Sequence, residues 1–366
     1  MPKQSVRRLI FIVTTNITHR NNLMKQVIVE KFGGVEELRI HDLPTPDPGP
    51  GQVRVALTSI GLNHAELMAR RGEYRLSSGD PPFTPGLEGG GRIDAIGPGV
   101  PAEYLGKRVI LTADIPRPLP GNPGGGTYRT HYLAPLDKIL PAPDNLPDDQ
   151  LGTLWLPYLT AWGCLIWKQN LRAGQFIAIP AASSSVGIAA AQVAKQAGAI
   201  SIGMTTSQAK ADTLPQMPEA EFDHIIVTHK PDRTMRRWQR DIKTITGGHG
   251  VDVFFDPVAS GDYLNMEIRS LAQHGTIWVY GLLGEIGPVD VTPLIRTYGS
   301  IRGWVNNEIL TEGGPALQEA YDAILAGVAA GHFRMAIGGR YKLEDVQRAH
   351  TEMETGRHIG KLVMIP

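Results

Sequence analysis

Three small residues, Ala182, Ser184 and Gly187, have the type and spacing needed to bind a pyrophosphate through backbone amides. They follow the apolar run Phe176–Pro180 and precede an alanine-rich segment at 186–197 that has apolar residues at helical spacing. This order predicts a strand, a tight turn and a helix, and the first amides of a helix attract an anion. The three residues occupy the glycine positions of a degraded G-x-G-x-x-G turn, so the pattern alone also fits an ordinary strand–loop–helix.

A second polar group, Thr206, Ser207 and Lys210, follows a predicted strand at 199–204. Dinucleotide-binding domains that use NAD usually carry an acid here for the ribose 2′-hydroxyl, and this chain has none before Asp212. Hydroxyls and a lysine can instead bind a 2′-phosphate, which predicts NADPH as the cofactor. The alternative is a surface helix with Ser207 as its N-cap and Lys210 in solvent.

The elements that position these residues alternate between strands and helices. After the strand at 176–180, further strands are predicted at 199–204, 223–228, 251–256 and 275–281, with segments of helical length between them. This alternation is typical of a doubly wound parallel sheet.

The flanking segments have a different pattern. Residues 25–141 contain short β segments separated by Gly and Pro clusters, which predicts a small β barrel or sandwich. One or two helices are predicted at 148–170. The tail, with a strand at 300–305, a helix at 315–330 and a β–α–β unit at 336–365, is expected to return to the first domain.

Composition excludes several classes of protein. The 366 residues are 42% hydrophobic and 20% charged, which allows about two globular domains. The 36 Lys and Arg balance 36 Asp and Glu, so neither nucleic acid nor a membrane is expected as a partner. A basic run at 233–243 is interrupted by acids and is interpreted as the solvated face of a helix. The single cysteine, Cys164, excludes an internal disulfide.

Residues 1–23 contain basic residues and no acid, which faintly resembles a transit peptide. The apolar run at 9–13 is too short for a secretory signal or a membrane span. We interpret 1–23 as a disordered extension or a start codon placed too early, because 24–29 begins a credible strand. A cytoplasmic protein is expected.

Several motifs in this chain resemble the medium-chain dehydrogenase/reductase superfamily, and most closely its zinc-free quinone oxidoreductase-like branch. They lie at 61–66, 82–91, 158–163, 182–187, 250–258 and 360–363. The resemblance covers residues 25–365 and implies an α/β protein. A GroES-like β-barrel catalytic domain at 24–155, completed by 306–366, would flank a Rossmann domain at 156–305 that has a doubly wound parallel sheet. The resemblance also implies NAD(P)H as hydride donor and, commonly, a homodimer.

The same resemblance implies roles for individual residues. Asn63 would lie beside the nicotinamide, and Tyr74 would edge the substrate pocket. The alternative for Tyr74 is a packed barrel tyrosine whose hydroxyl binds a backbone group. The residues implied to bind the cofactor are Thr160, Ser183, Ser184, Ser185, Val186, Gly187, Thr206, Ser207, Lys210, Asp256, Tyr280, Gly281 and Lys361.

A catalytic zinc is not expected. Zinc-containing members of the superfamily carry a cysteine at the position of Asn63, a histidine at Leu87 and a second cysteine near Leu156, and neither Asn nor Leu replaces those ligands. The four-cysteine structural lobe is also absent, since 112–126 contains no cysteine. Glu88 remains, but a lone carboxylate is not a metal site.

Without a Lewis acid, exchange between alcohol and ketone loses the group that polarises the carbonyl. Hydride addition to the β carbon of an enone, enal or quinone depends on it less, because hydrogen-bond donors such as Asn63, Tyr74 and Thr160 can stabilise the distant oxygen. The sequence therefore predicts an NADPH-dependent reductase of apolar quinones or α,β-unsaturated carbonyl compounds. Two alternatives remain: a zinc-type alcohol dehydrogenase or carbonyl reductase, and a non-catalytic NADPH-binding protein, as some relatives are lens crystallins or RNA-binding factors.

Overall fold

The computed structural model describes residues 23–74, 79–114, 125–312 and 314–366. The extension predicted at 1–23 lies outside these residues except for Leu23, which begins the first strand. No helix within the described ranges is both long and apolar enough to cross a membrane. The cytoplasmic location stays a prediction.

The described residues form fifteen strands in three sheets. In chain order the strands are β1 (Leu23–Val29), β2 (Leu38–Pro44), β3 (Gln52–Gly61), β4 (Gly89–Ile96), β5 (Arg108–Leu111), β6 (His131–Pro135), β7 (Ile139–Pro141), β8 (Phe176–Pro180), β9 (Ile200–Thr205), β10 (His224–Val227), β11 (Val251–Asp256), β12 (Leu271–Val279), β13 (Ser300–Gly303), β14 (Ile337–Lys342) and β15 (Lys361–Ile365).

Six of the strands form a parallel sheet in the order β10-β9-β8-β11-β12-β13. Counted from β8, this is the Rossmann order 3-2-1-4-5-6, in which ligands bind where the order reverses, between β8 and β11. Phe254 and Phe255, neighbours in β11, are both fully buried but belong to hydrophobic clusters on opposite faces of the sheet. Burial on both faces explains why these strands are continuously apolar in sequence. The predicted doubly wound sheet is confirmed.

A seven-stranded sheet forms the first domain, in the order β14-β15-β3-β4-β5-β7, with β6 also paired to β3. Alternate residues of β3 are buried, among them Val53, Val55 and Leu57, as in a sheet with one face on a core. Strands β14 and β15 return from the end of the chain to this sheet, as the sequence predicts. The GroES-like fold is confirmed, while the domain limits 24–155, 156–305 and 306–366 stay predictions.

The helices differ most from prediction between 148 and 170. Only a 3₁₀ turn forms at Asp148–Gln150. A continuous run then passes from π geometry at Trp155–Leu159 through a short α-helical turn at Thr160–Trp162 into π geometry at Gly163–Lys168. Pro157 lacks the amide hydrogen that regular helix bonding needs. The α-helices are α1 (His64–Arg71), α2 (Thr160–Trp162), α3 (Ser185–Gln196), α4 (Gln208–Thr213), α5 (Gln239–Ile245), α6 (Gly261–Ile268), α7 (Leu294–Thr297), α8 (Asn307–Glu312), α9 (Gly314–Ala329) and α10 (Val346–Thr355).

Candidate active site

A cleft of about 1910 Å³ runs along the carboxyl ends of the Rossmann strands and is lined by residues of both domains. It brings together twelve of the fifteen site residues expected from the sequence. These twelve are Asn63, Tyr74, Thr160, Ser183, Ser184, Ser185, Val186, Thr206, Lys210, Tyr280, Gly281 and Lys361. The other three, Gly187, Ser207 and Asp256, are not part of the cleft wall.

The turn after β8 fits a pyrophosphate. Ser184 is the N-cap of α3, and its Oγ accepts a hydrogen bond of 3.0 Å from the amide of Gly187. A Cβ on Gly187 would lie 2.8 Å from the carbonyl oxygen of Ala181, so this position requires glycine for close packing. The first turn of α3 contains no acid, and its first two residues, Ser185 and Val186, line the cleft. Unpaired first-turn amides and the helix dipole therefore favour an anion here.

The sequence leaves two interpretations of the loop after β9 open, a phosphate site and a capped surface helix. Ser207 fits the capped helix, whereas Lys210 does not fit a surface helix. Ser207 caps α4, with its Oγ 3.4 Å from the amide nitrogen of Lys210, as the structural alternative requires. Lys210, however, does not lie in solvent. Its ammonium donates hydrogen bonds of 3.0 Å to Ser183 Oγ, 2.7 Å to the carbonyl of Gly356 and 3.0 Å to the carbonyl of His358. Burial lowers the pKa of Lys210.

Asp256 and Tyr280 shape the cleft at the ends of β11 and β12. Asp256 is fully buried, and its carboxylate accepts hydrogen bonds of 2.6 Å from the amide of Val258 and 2.9 Å from that of Ala259. Burial raises the pKa of Asp256 to about 6, although these two bonds favour the charged form. Tyr280 stacks on Phe255 with ring centroids 4.0 Å apart. Asp256 thus fixes the loop that borders the cleft rather than lining the cleft itself.

Asn63 occupies the N-cap position of α1, where its backbone amide donates a 2.8 Å hydrogen bond to Glu66 Oε2. Its side chain is engaged at both ends. Oδ1 accepts a 2.5 Å bond from the ammonium of Lys361, and Nδ2 lies 3.2 Å from Glu88 Oε1 and 3.3 Å from the carbonyl oxygen of Gly61. These contacts fix the orientation of the amide at the cleft wall.

Two buried carboxylates behind Asn63 were not included among the site residues predicted from the sequence. Glu88 pairs with Lys361 at 2.5 Å and accepts a 3.1 Å bond from the amide of Leu156. Glu66 accepts a 2.9 Å bond from the amide of Leu87 and a 2.6 Å bond from the hydroxyl of Tyr128, and burial raises its pKa. The sequence signal for these two residues was an acid within each of the motifs 61–66 and 82–91, because a carboxylate that becomes buried requires a charged or hydrogen-bonding partner. The sequence does not locate those partners.

Thr160 and Tyr74 complete the wall. The hydroxyl of Thr160 donates a 2.5 Å bond to the carbonyl of Leu156. The backbone carbonyl of Thr160 accepts a 3.0 Å bond from Trp304 Nε1. Tyr74 is half-buried, and burial raises its pKa. Its phenol therefore stays protonated at neutral pH. The pocket role of Tyr74 and the packing alternative both stay open.

Asn63, Leu87 and Leu156, the positions at which the sequence resemblance implies zinc ligands in other members, all line the cleft. Within the ranges that the structure describes, no three His, Cys, Asp or Glu side chains are grouped so that they could hold a metal ion. The backbone amides at two of these positions instead bind the carboxylates of Glu66 and Glu88.

Two family models match the chain. The alcohol dehydrogenase GroES-like domain matches residues 49–144, and the zinc-binding dehydrogenase model matches residues 185–320. Among curated proteins, quinone oxidoreductase of Lama guanicoe is 28% identical over 349 residues, covering 94% of this chain and 98% of the relative. A 2-haloacrylate reductase of Burkholderia sp is 27% identical over 356 residues, covering 94% and 99%.

Two solved structures are also similar to this chain. An NAD-dependent alcohol dehydrogenase is 29% identical with a TM-score of 0.79, covering 93% of this chain and 99% of the other. A mycobacterial protein solved in complex with NADPH is 25% identical with a TM-score of 0.78, covering 94% and 100%. The fold, the cleft and these similarities together identify an oxidoreductase. The chain belongs to the quinone oxidoreductase-like branch of the medium-chain dehydrogenase/reductase superfamily.

Proposed function

We propose that this protein uses NADPH to reduce quinones or the activated C=C bonds of α,β-unsaturated carbonyl compounds, without zinc. The observation that carries the proposal is that the turn after β8, the loop after β9 and Asn63 all line the same cleft. The names of two relatives, a quinone oxidoreductase and a 2-haloacrylate reductase, support the same class of acceptor.

In this proposal the cofactor is held at two places. The amides at the start of α3, with Ser183 and Ser185, bind the pyrophosphate, and the loop containing Thr206 and Lys210 binds the 2′-phosphate. All three acceptors of the Lys210 ammonium are uncharged, so a phosphate dianion can replace one of them with a stronger, charge-assisted bond. When bound, the reduced nicotinamide supplies the hydride.

The substrate end of the cleft favours an uncharged acceptor. Leu62, Leu87, Leu156 and Trp304 line it, and Lys361, the cation nearest Asn63 among the described residues, is already paired with Glu88. Hydride addition to the β carbon moves charge to the carbonyl oxygen, where a fixed polar wall stabilises it without reorganising. Tyr74 is the proposed donor in that wall. Asn63, whose amide hydrogens are already bonded to Gly61 and Glu88, is proposed to orient the nicotinamide beside it. Water is the proposed proton donor.

The test is NADPH oxidation, followed at about 340 nm, with quinones, enones and enals as acceptors and with saturated aldehydes and ketones for comparison. Asn63→Ala should lower kcat/KM by about ten- to a thousandfold, the range for loss of one preorganised group. Asn145→Ala is a control, because this exposed asparagine also binds backbone carbonyls but lies outside the cleft.

Two results would contradict the proposal. Turnover of saturated aldehydes or ketones alone would assign a carbonyl reductase or alcohol dehydrogenase. Tight NADPH binding without turnover of any acceptor would assign a non-catalytic protein.

The sequence resemblance implies a homodimer, and we also propose that its two copies associate through β13. Of the eleven large hydrophobic side chains exposed in the described residues, eight lie between Leu282 and Val305. Four of these eight line the cleft, and Ile301 lies in β13 itself. Among the described residues, β13 is an edge strand paired to β12 alone. An open sheet edge is a template for a second copy, and a two-fold axis closes such an assembly.

A further inference from the structure

Lys361 and Glu88 form an ion pair that is almost completely removed from solvent. Their charged groups are 2.5 Å apart, and each side chain is 1% exposed. Such burial is costly, since each ion loses its hydration, and the pair by itself is weak evidence for stability. A further contact distinguishes this ion pair from an isolated one. The Lys361 ammonium also donates a 2.5 Å bond to Oδ1 of Asn63 at the cleft wall.

We propose that Lys361, held by Glu88, is a positioning residue that fixes the side-chain amide of Asn63 relative to the cofactor-binding turn. The inference rests on the proposed function. It assigns to Lys361 a role different from the cofactor contact expected from the sequence, because the ammonium is directed at Asn63 and Glu88.

The backbone around Lys361 supplies the link to the turn. The amide of Gly360 donates a 2.8 Å bond to the carbonyl of Ser183, at the turn before α3, and the amide of Lys361 donates a 2.8 Å bond to the carbonyl of Ala336. One two-residue segment is therefore bonded to the proposed pyrophosphate turn by its backbone and to Asn63 by its side chain. The distance from the turn to Asn63 is set through Lys361.

Packing leaves the ion pair little freedom. A Cβ added to Gly61 would lie 2.6 Å from Glu88 Oε1 and 2.7 Å from Cε of Lys361, and it would also lie 2.3 Å from the carbonyl oxygen of Gly152. The backbone at Gly61 thus closes one side of the pair. On another side, Glu88 Oε2 is fixed by the amide of Leu156. A rigid support of this kind is what preorganisation of a reacting group requires.

The experiment separates positioning from simple stabilisation. Lys361→Met leaves the Glu88 carboxylate buried without its cation and is expected to lower the melting temperature strongly. Lys361→Met combined with Glu88→Gln removes both charges and should recover most of the lost stability. Turnover should not recover: we expect kcat to stay about tenfold or more below wild type, with KM for NADPH little changed.

A second comparison tests whether Lys361 acts through Asn63. Asn63→Ala should lower kcat much less in the Lys361→Met/Glu88→Gln background than in the wild type, because residues acting as one unit are not additive. Full additivity, or recovery of wild-type kcat together with stability in the charge-free double variant, would overturn the inference.

A readout without turnover keeps this test separate from that of the proposed function. The side-chain amide of Asn63, assigned by its loss from the NMR spectrum of Asn63→Ala, should exchange hydrogen faster in the Lys361→Met/Glu88→Gln variant than in the wild type. Unchanged exchange would overturn the positioning role even if the protein reduces no acceptor. Wild-type inactivity on every acceptor would contradict only the proposed function.

Discussion

The ammonium of Lys210 donates a 3.0 Å hydrogen bond to Oγ of Ser183 and so joins the loop after β9 to the turn after β8. The same ammonium binds the carbonyls of Gly356 and His358, which belong to the segment that returns to the first domain. Lys210 therefore connects the two regions proposed to hold the phosphates of NADPH with a segment near the C-terminus that also lines the cleft.

Lys210→Ala should lower the affinity for NADPH by about tenfold or more, because one charge-assisted bond to phosphate contributes roughly 1.5–3 kcal/mol. Affinity for NADH should change little. Calorimetric titration of both cofactors measures this, with Lys230→Ala as a control, since Lys230 is exposed and lies outside the cleft. Equal affinity of the wild type for NADPH and NADH would rule out selectivity at this loop.

Tyr74→Phe should lower kcat/KM less than Asn63→Ala does, because water can deliver the proton in place of the phenol. Burial raises the pKa of Tyr74, so its hydroxyl should remain protonated up to at least its ordinary pKa of about 10 and produce no loss of rate below it. Steady-state kinetics across that pH range check both points. A larger loss in Tyr74→Phe than in Asn63→Ala would make the tyrosine the principal donor.

Glu267 is fully buried in α6, and neither carboxylate oxygen has a hydrogen-bond partner among the described residues. Burial, with a smaller contribution from Asp256, raises its pKa well above the usual range. The folded state therefore binds a proton that the unfolded chain releases above its pKa of about 4.3, and the free energy of unfolding falls as pH rises past that value.

Glu267→Gln cannot ionise, so it should be more stable than the wild type at about pH 8 and similar to it at about pH 4. The gain should grow by up to about 1.4 kcal/mol for each pH unit above the unfolded-state pKa, until the pKa of the folded state is reached. Urea unfolding at both pH values measures it. Glu319→Gln, on an exposed side chain of α9, is the control, and a pH-independent difference would refute the assignment.

Purified, metal-replete protein should contain less than about 0.1 zinc per chain, because Asn63, Leu87 and Leu156 offer no thiolate or imidazole. Elemental analysis checks this, and chelator treatment should leave turnover unchanged. One tightly held zinc per chain would contradict it.

Ile301→Glu should convert the proposed dimer into a monomer, because it places a charge on the edge strand where the second copy would pair. Light scattering after size-exclusion chromatography measures the mass. Leu105→Glu changes a leucine that is more exposed than Ile301 and distant from it in sequence, and it should leave the dimer intact. A wild-type monomer at every concentration tested would exclude the interface.

The sequence predicts most closely those elements whose signal is local. The buried run at 251–256 is found as β11 with the same limits, and the alanine-rich segment at 186–197 is found as Ser185–Gln196. The helical run at 155–168 is less regular than predicted, because apolar spacing does not distinguish α from π geometry around Pro157.

The site was only partly predictable for a different reason. Spacing within a motif identifies Ser184 and Gly187, whose partners lie a few residues away. The partners of Lys210 and Lys361 are carbonyls and carboxylates brought together by the return of the tail to the first domain. No local pattern encodes such contacts, so the acids Glu66 and Glu88 were recognised as motif residues and not as the support of Asn63.

Strand β15 lies between β14 and β3, although every strand of the Rossmann sheet separates β3 from β15 along the chain. Its pairing of Met364 with Ile60 is therefore a contact of very high sequence separation, which slows folding. During synthesis, all six Rossmann strands leave the ribosome before β15 does. β6 already pairs with the first half of that edge of β3, but the end at Ile60 and Gly61 stays unpaired throughout that interval. Unpaired strand edges promote aggregation, so we expect the nascent chain to be exposed to aggregation at this end of β3 until β15 has been made.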